Sequence, residues 1–425
     1  MKKTAAITGL DVGTTKVCAV VAERTGSGVR VLGAGISPSS GIRKGTVVNM
    51  EAASDAIAKA VREAELSSGV RIASVTAGIS GGHVTGFHSA GAIGIQGREI
   101  REEDRERAVE AAGTVYIPLD REVLHVLPTE FSLDGQEGIL DPVGMSGVRL
   151  EAKVHIITAG AAPLRNLTKC CERAGLQVGA TVFQPVASAR AVLTDDEREA
   201  GVVLVDIGGG TTDIAFFRDG CLRNISVIGV GGNHLTNDIA VGLKVTIAEA
   251  ERIKKTKGAA FESGADRDAG IEITLPDEQL ASISRGDLIS IMQPRCEEMI
   301  QLVQEEIAKF RGADGAACGV VLTGGASLLG GFRRLAASML GLPARIGNPA
   351  GIGGRRSLVE GPPYATGIGL TMPEHYEEEH VDTYAAAMAG LAGKVKQRVS
   401  DFFRFSDLSH SYKKEGGTLC LKSRK

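Results

Sequence analysis

Apolar residues along this chain fall into two interleaved textures. Short apolar runs bounded by glycine or acidic turns have the look of buried strands, and between them apolar residues recur at the three- and four-residue spacing of amphipathic helices. Residues 4–9 predict a strand, 16–22 (KVCAVVA) its hairpin partner, 51–65 a helix and 70–79 (VRIASVTAGI) a buried strand. From about residue 84 the texture changes: glycine-rich short strands (84–95), a charged helix (about 99–112) and strands at 122–133 and 148–159 read as a small α+β insertion. Helix, strand and helix follow at 164–174, 178–183 and 185–193, then the apolar strand VVLVDI (202–207) and its partner TDIAFF (212–217). The strand–turn–strand unit thus occurs twice, near the start of each half. A helix over 246–257 carries a Thr246–Glu249 capping box with Gly258 as its stop. The helical stretch 287–311 contains Pro294, which should kink or restart it. ACGVVLTGGASLLGGF (317–332) reads as strand, glycine turn and helix, and the body is expected to end after Tyr364.

Beyond the body, 371–382 (TMPEHYEEEHVD) holds five acidic side chains and no core pattern, the mark of a linker. In 385–405, Met388, Leu391, Val395, Val399, Phe402 and Phe403 recur at helical spacing, while Lys394, Lys396, Arg398 and Arg404 occupy other faces. Periodicity alone would favour a core-packing helix. Its place past an acidic linker, with basic flanks and terminal phenylalanines, favours an interfacial helix on anionic lipid. Residues 406–425 read as a polar basic tail.

Composition narrows the field. Of the 425 residues 56 are glycine, clustered beside apolar runs, as ligand-binding turns of α/β folds require. A net charge of -3, no tryptophan and no basic stripe with interleaved aromatics in the main body argue against a nucleic-acid partner. Seven cysteines without a C-x-x-C pair fit a reduced compartment better than a disulfide framework or a zinc site. The opening MKKTAAITGL lacks the apolar core of a signal peptide, because Asp11 interrupts it, and no run of 18 apolar residues occurs.

The chemistry concentrates in two turns, DVGTT (11–15) with Lys16, and DIGGGTTD (206–213). Backbone N–H groups of Gly13, Gly208, Gly209 and Gly210, with the hydroxyls of Thr14, Thr15, Thr211 and Thr212, can face phosphate oxygens. Asp11 and Asp206 suit magnesium, held through water, and Lys16 adds a point charge. One such hairpin could be a bare turn; the repeated Asp-x-Gly pattern points to a triphosphate between two turns. TGGASLLGG (323–331), with Gly324, Gly325 and Ser327, offers close approach to a nucleoside ahead of a helix N-terminus. Glu251 and Lys254 share one helix face and, without context, read as an exposed ion pair. No G-x-x-x-x-G-K-[ST] is present, and the G-x-G-G string around Gly231 and Gly232 lacks the spacing of a dinucleotide fingerprint.

The order of phosphate turn, insertion, phosphate turn and adenosine turn resembles the actin, sugar-kinase and heat-shock-chaperone ATPase superfamily. Within it the chain is similar over nearly its whole length to the FtsA family of bacterial cell-division proteins. The likeness is carried by GLDVGTTKVCAVV, VLHVLPTEFSLDGQEGILDPVGMSGVRLEAKVHIIT, VLTDDEREAGVVLVDIGGGTTDIAFF, GGNHLTNDIA, AEAERIKKTKG and VVLTGGASLLGG. The resemblance implies an α/β actin-like fold of two halves with a small insertion in place of actin's second subdomain, followed by a C-terminal amphipathic helix. The expected organisation is a first subdomain from 1–83, 164–200 and 355–370; an insertion at 84–163; a second subdomain from 201–240 and 315–354; a nucleoside- and partner-contacting subdomain at 241–314; a linker at 371–384; the helix at 385–405; and the tail at 406–425. It also implies that Gly231, Gly232, Glu251 and Lys254 face the ATP, and that Gln184 orients an attacking water beside Asp11 and Asp206. An amide is a poor general base, so hydrolysis is expected to be slow or incidental.

The implied role is an ATP-binding scaffold that polymerises with itself on the cytoplasmic face of the inner membrane at the septum. It would tether the tubulin-like division ring protein through 241–314, bind anionic lipids through 385–405 and recruit later division proteins through 84–163. The alternative, a sugar- or metabolite-kinase phosphotransferase, needs an acceptor pocket with a catalytic carboxylate, against which Gln184 and the insertion both tell. A chaperone-type ATPase would need a substrate-binding domain after the body, where only a short helix is expected.

Overall fold

The computed structural model describes residues 6–25, 28–261, 267–310 and 316–372. The acidic stretch from 373, the helix expected at 385–405 with its ten expected membrane-binding side chains, and the tail 406–425 lie outside the described residues.

Strands β1 (Ala6–Val12), β2 (Lys16–Thr25) and β3 (Gly28–Pro38) form an antiparallel meander. A small ribbon, β4 (Ile42–Arg43) with β5 (Thr46–Val47), leads into helix α1 (Met50–Ser68). This helix starts where the Asn49 side chain accepts from Ala52 N and stops at Gly69, whose φ of 72° is left-handed. Its alanine-rich face (Ala53, Ala56, Ala60, Ala64, with Ile57 and Val61) lets it lie close on the sheet. Strand β6 (Ser74–Ile79) then runs parallel to β1.

The insertion follows: β7 (Thr85–Gly94), α2 (Glu102–Gly113), β8 (Arg121–Leu133), β9 (Gln136–Ile139) and β10 (Arg149–Gly160). Its sheet has the order β7-β10-β8-β9. The glycine-rich stretch expected as several short strands is one ten-residue strand, because its whole length pairs with β10.

The chain returns through α3 (Ala161–Arg173), β11 (Gln177–Phe183), α4 (Gln184–Val192) and α5 (Asp195–Ala200). A second meander, β12 (Val202–Ile207), β13 (Thr212–Arg218) and β14 (Cys221–Ile228), precedes α6 (Gly232–Leu243) and α7 (Ile247–Lys257). Next come the hairpin β15 (Gly270–Thr274) and β16 (Leu280–Ser284), helix α8 (Arg285–Lys309), β17 (Val320–Thr323), α9 (Phe332–Leu340), β18 (Ala344–Ile346), β19 (Ile352–Gly354) and α10 (Ala365–Gly369). The sheets read β11-β6-β1-β2-β3-β19 and β14-β13-β12-β17-β18. Each half is therefore a three-stranded antiparallel meander continued by two parallel strands, with β19 added to the first. One apolar core spans both halves, uniting Val20, Phe183, Ala189, Val202, Leu204 and Ile368 around α4 and α10. The parts up to Met372 form one compact unit.

Several local expectations change. β1 extends to Val12, so Asp11 belongs to the strand, opposite Cys18, rather than to the turn. Thr246 accepts from Glu249 N, but the Glu249 carboxylate turns to Arg252 and Thr274 N, so the capping box is half made. Gly258, with φ −66°, stops α7 without a left-handed turn. Helix α8 runs through Pro294 because Leu288, Met292, Cys296, Ile300 and Val303, on both sides of it, pack into one core. The glycines after β17 lead into a 3-10 turn, Gly325–Leu328, and α9 begins only at Phe332. The chain rejoins the first half at β19, before residue 355, and the body runs to Met372, since Thr371 and Met372 are buried.

Candidate nucleotide-binding site

β1 and β12 hold equivalent places in the two sheets, and the turns after them are built alike. Gly13 N donates to Lys16 O at 3.0 Å, and Gly208 N to Thr211 O at 2.9 Å. Asp11 and Asp206 sit at the ends of their strands, both buried. The two tips press against each other. A Cβ on Gly210 would lie 2.6 Å from Thr14 Oγ1, and one on Gly209 would overlap the Thr15 hydroxyl, so only glycine permits this approach. Thr14 Oγ1 accepts from Gly45 N at 3.2 Å and Thr15 Oγ1 donates to Asn233 Oδ1 at 3.3 Å.

Side chains from α4 and α10 hold the aspartates. Gln184 Nε2 donates to Asp11 Oδ1 (3.1 Å), while Lys16 Nζ lies 3.1 Å from Asp11 Oδ2 and 5.4 Å from the centre of the Tyr364 ring. Ser188 Oγ donates to Asp206 Oδ2 (2.6 Å), and Thr366 Oγ1 lies 2.9 Å from Ser188 Oγ and 3.4 Å from the same carboxylate oxygen. Gln184 and Ser188 stand four residues apart, so one face of α4 meets both acids.

The nucleoside side gathers around the start of α6. Gly232 N and Asn233 N donate to Gly208 O and Gly209 O at 2.9 and 2.8 Å, fastening α6, with Gly231 before it, onto the second turn. Glu251 and Lys254 pair at 2.6 Å and share Thr236 Oγ1, which donates to Glu251 while Lys254 donates to it. Lys254 also donates to Gly232 O at 3.0 Å. Gly324, at φ 81°, lies so close to Asp206 Oδ1 and Ile207 O that no side chain fits. Gly325 faces open space, whereas Ser327 turns its hydroxyl inward to Gly324 O (2.7 Å). Thr212 likewise spends its hydroxyl on Val230 O (2.9 Å), as strand alternation from Asp213 requires, and Thr211 Oγ1 turns toward Asp213 Oδ2 at 3.5 Å. The turns, α4 and the α6–α7 corner thus converge, and Thr212 and Ser327 do not point into the convergence.

A family model described as "Cell division protein FtsA" matches residues 203–369, and "SHS2 domain inserted in FTSA" matches 81–158. The cell division protein FtsA of Pseudomonas aeruginosa is 43% identical over 370 residues, 86% of this chain and 88% of that protein. The chain belongs to the FtsA family of cell-division proteins. FtsA of Escherichia coli K12 is 38% identical over 399 residues, covering 92% of this chain and 94% of the relative. Among solved structures, the PilM–PilN type IV pilus biogenesis complex matches with TM-score 0.61 at 18% identity, over 86% of this chain and 97% of that one. MreB5 of Spiroplasma citri bound to ADP matches with TM-score 0.53 at 18% identity, over 86% and 95%. The fold is therefore actin-like.

Three supports of this FtsA-family site were not anticipated: Ser188, Thr366 and Ser80, whose Oγ donates to Asp213 Oδ1 at 2.5 Å. Asp213 itself, written into DIGGGTTD, was not assigned a role, although the hairpin register places it directly opposite Asp206. Burial, reinforced by Asp11, pushes the Asp206 carboxyl up to about 6 against the pull of Ser188. Burial, reinforced by Asp206, pushes Asp213 up to about 8 against its bond from Ser80. Burial lowers the Lys16 ammonium, but the adjacent Asp11 carboxylate outweighs it, so Lys16 stays charged. Burial raises Glu251, and bonds from Lys254 and Thr236 outweigh it and hold the carboxyl low.

These shifts set a pH dependence. Folded Asp206 and Asp213 bind protons where the unfolded chain, near 3.8, has lost them. The stability they contribute is complete below that value and is lost as pH rises through about 6 and about 8. Without metal or nucleotide, denaturation at pH 9 should show a few kcal/mol less stability than at pH 5. Asp213→Asn should flatten part of that slope; an unchanged slope in the variant would remove Asp213 as its source.

Proposed function

We propose that this FtsA-family protein is an ATP-binding scaffold that polymerises with itself on the cytoplasmic face of the inner membrane at the septum. The observation that carries the reading is the pair of Asp-x-Gly hairpins, one per half, brought tip to tip with their acids held by a single face of α4. Glycine backbone and the threonine hydroxyls of the first turn, Thr14 and Thr15, suit phosphate, and the Glu251–Lys254 pair beside Gly232 suits a nucleoside. Solved actin-like relatives include MreB5 of Spiroplasma citri bound to ADP and to AMPPNP.

The residues fit magnesium. Asp11 and Asp206 present hard oxygen donors, and a divalent cation would favour the charged form of Asp206 that burial, reinforced by Asp11, disfavours. Among the described residues no group of three or more His, Cys, Asp or Glu side chains is arranged to hold an ion. The ion would neutralise phosphate charge when bound. Gln184, hydrogen-bonded to Asp11, can orient water but is a poor base, in keeping with a switch more than a rapid hydrolase. The phosphotransferase alternative loses ground to the family match.

Attachment is assigned to the amphipathic pattern at 385–405, where six apolar residues recur at helical spacing among Lys394, Lys396, Arg398 and Arg404. Partner roles remain as proposed from the resemblance: the tubulin-like ring protein at 241–314 and later division proteins at 84–163. Electron microscopy on an anionic lipid monolayer tests nucleotide dependence, attachment and assembly together. Filaments on lipid with ATP and magnesium, and few without, are expected; equal assembly in both would overturn the nucleotide switch.

A further inference from the structure

Ser80 follows the last residue of β6 and immediately precedes the inserted domain, which the family model begins at residue 81. It lies two positions beyond Gly78, the neighbour of Asp11 across the β1–β6 ladder, so it stands beside the first turn. Its hydroxyl does not serve its own half. It donates at 2.5 Å to Asp213 Oδ1 on β13 of the other half, and both residues are buried. Asp213 in turn faces Asp206 across the hairpin that forms the second turn.

A second attachment lies farther along the chain, between the first strand of the insertion and the neighbour of β13. His88 Nε2, on β7 of the insertion, is 2.8 Å from Arg223 O on β14, the strand paired with β13. Between the two points, a Cβ on Gly86 would lie 2.9 Å from Ile225 Cγ1 of β14, so the insertion rests directly on that strand. The insertion is covalently part of the first half, yet it is fastened to the β13–β14 hairpin of the second half near both ends.

We propose that Ser80 is a positioning residue that ties the insertion to the second phosphate turn, making ligand binding at the turns and docking of the insertion on β14 one cooperative event. This rests on the nucleotide reading of the turns. A ligand that settles between the tips fixes β13 through Asp206 and the hairpin. Asp213 then holds Ser80, and four residues later the chain enters β7. The insertion is thereby ordered on β14 from its root, with His88 closing the far end.

Hydrogen–deuterium exchange of the full chain, with and without ATP and magnesium, tests this. In the wild type, nucleotide should protect both the turn peptide (206–213) and the insertion strands (85–94 and 149–160). In Ser80→Ala the turn should remain protected while the added protection of the insertion falls by about tenfold. Asp213→Asn keeps an oxygen that accepts from Ser80 and should retain the insertion response. His88→Ala, which frees the other end, should lose it. An insertion response equal in Ser80→Ala and wild type overturns the proposal, as does turn protection with no insertion response in the wild type. Absence of turn protection in the wild type overturns the nucleotide reading, and the coupling with it.

Discussion

Replacing Asp206 by alanine is expected to weaken magnesium-dependent ATP binding by at least about 100-fold, roughly 3 kcal/mol. The carboxylate is buried, fixed by Ser188 at 2.6 Å, and packed against Gly324 so closely that it has little freedom to move. Its oxygens are therefore pre-placed for a hydrated cation, whereas the Asp213 carboxyl opposite it is engaged by Ser80. The variant should still fold. Ser188 and Thr366 already lie 2.9 Å apart and can satisfy each other once the acid is gone. Removing a carboxyl that burial has raised to about 6 also removes a cost of folding at neutral pH. Calorimetry should thus show lost binding in a protein that melts no lower than wild type near pH 8. Unchanged affinity would sink the assignment of Asp206, and a large fall in melting temperature would show that its role is structural.

The second large effect concerns residues beyond the described ones. Deleting 385–425 should release the protein from anionic vesicles, leaving it in the supernatant where the full chain co-sediments. Partial burial of Met388, Leu391, Val395, Val399, Phe402 and Phe403 gives on the order of 10 kcal/mol before costs. Ordering a short helix removes much of that, because such helices are marginal in water. A single anchor should then bind weakly and a polymer tightly, by effective concentration. Co-sedimentation of the full chain should therefore rise with ATP and fall with salt as the lysines and arginines are screened. Continued sedimentation of the truncated protein would move the attachment into the body.

How much of this could be read along the chain depends on the range of the interaction concerned. The hairpins at Asp11 and Asp206 are local: an apolar run, a glycine tip and a partner strand are enough to define them, and their repetition anticipates the duplicated sheet. The insertion was legible because its strands pair among themselves. Local end effects were misread where tertiary contacts took over: Glu249 was drawn to Arg252 and Thr274, and α8 was carried through Pro294 by the core on either side. Ser327 and Thr212 were assigned to the ligand on residue type, yet each hydroxyl is spent on a nearby carbonyl.

By itself the chain determined the two acid–glycine turns and the interrupted first half, because these rest on spacing within short segments; the family came from likeness to known sequences. Only the tertiary structure decided who holds the acids. Ser188, Thr366 and Ser80 are ordinary hydroxyl residues in sequence, and Ser80 lies 133 residues from the carboxylate it contacts. Hydrophobic period tells which residues are buried but not which ones they meet. A buried carboxylate needs particular donors, and which donors reach it is settled only when the two sheets close on α4 and α10.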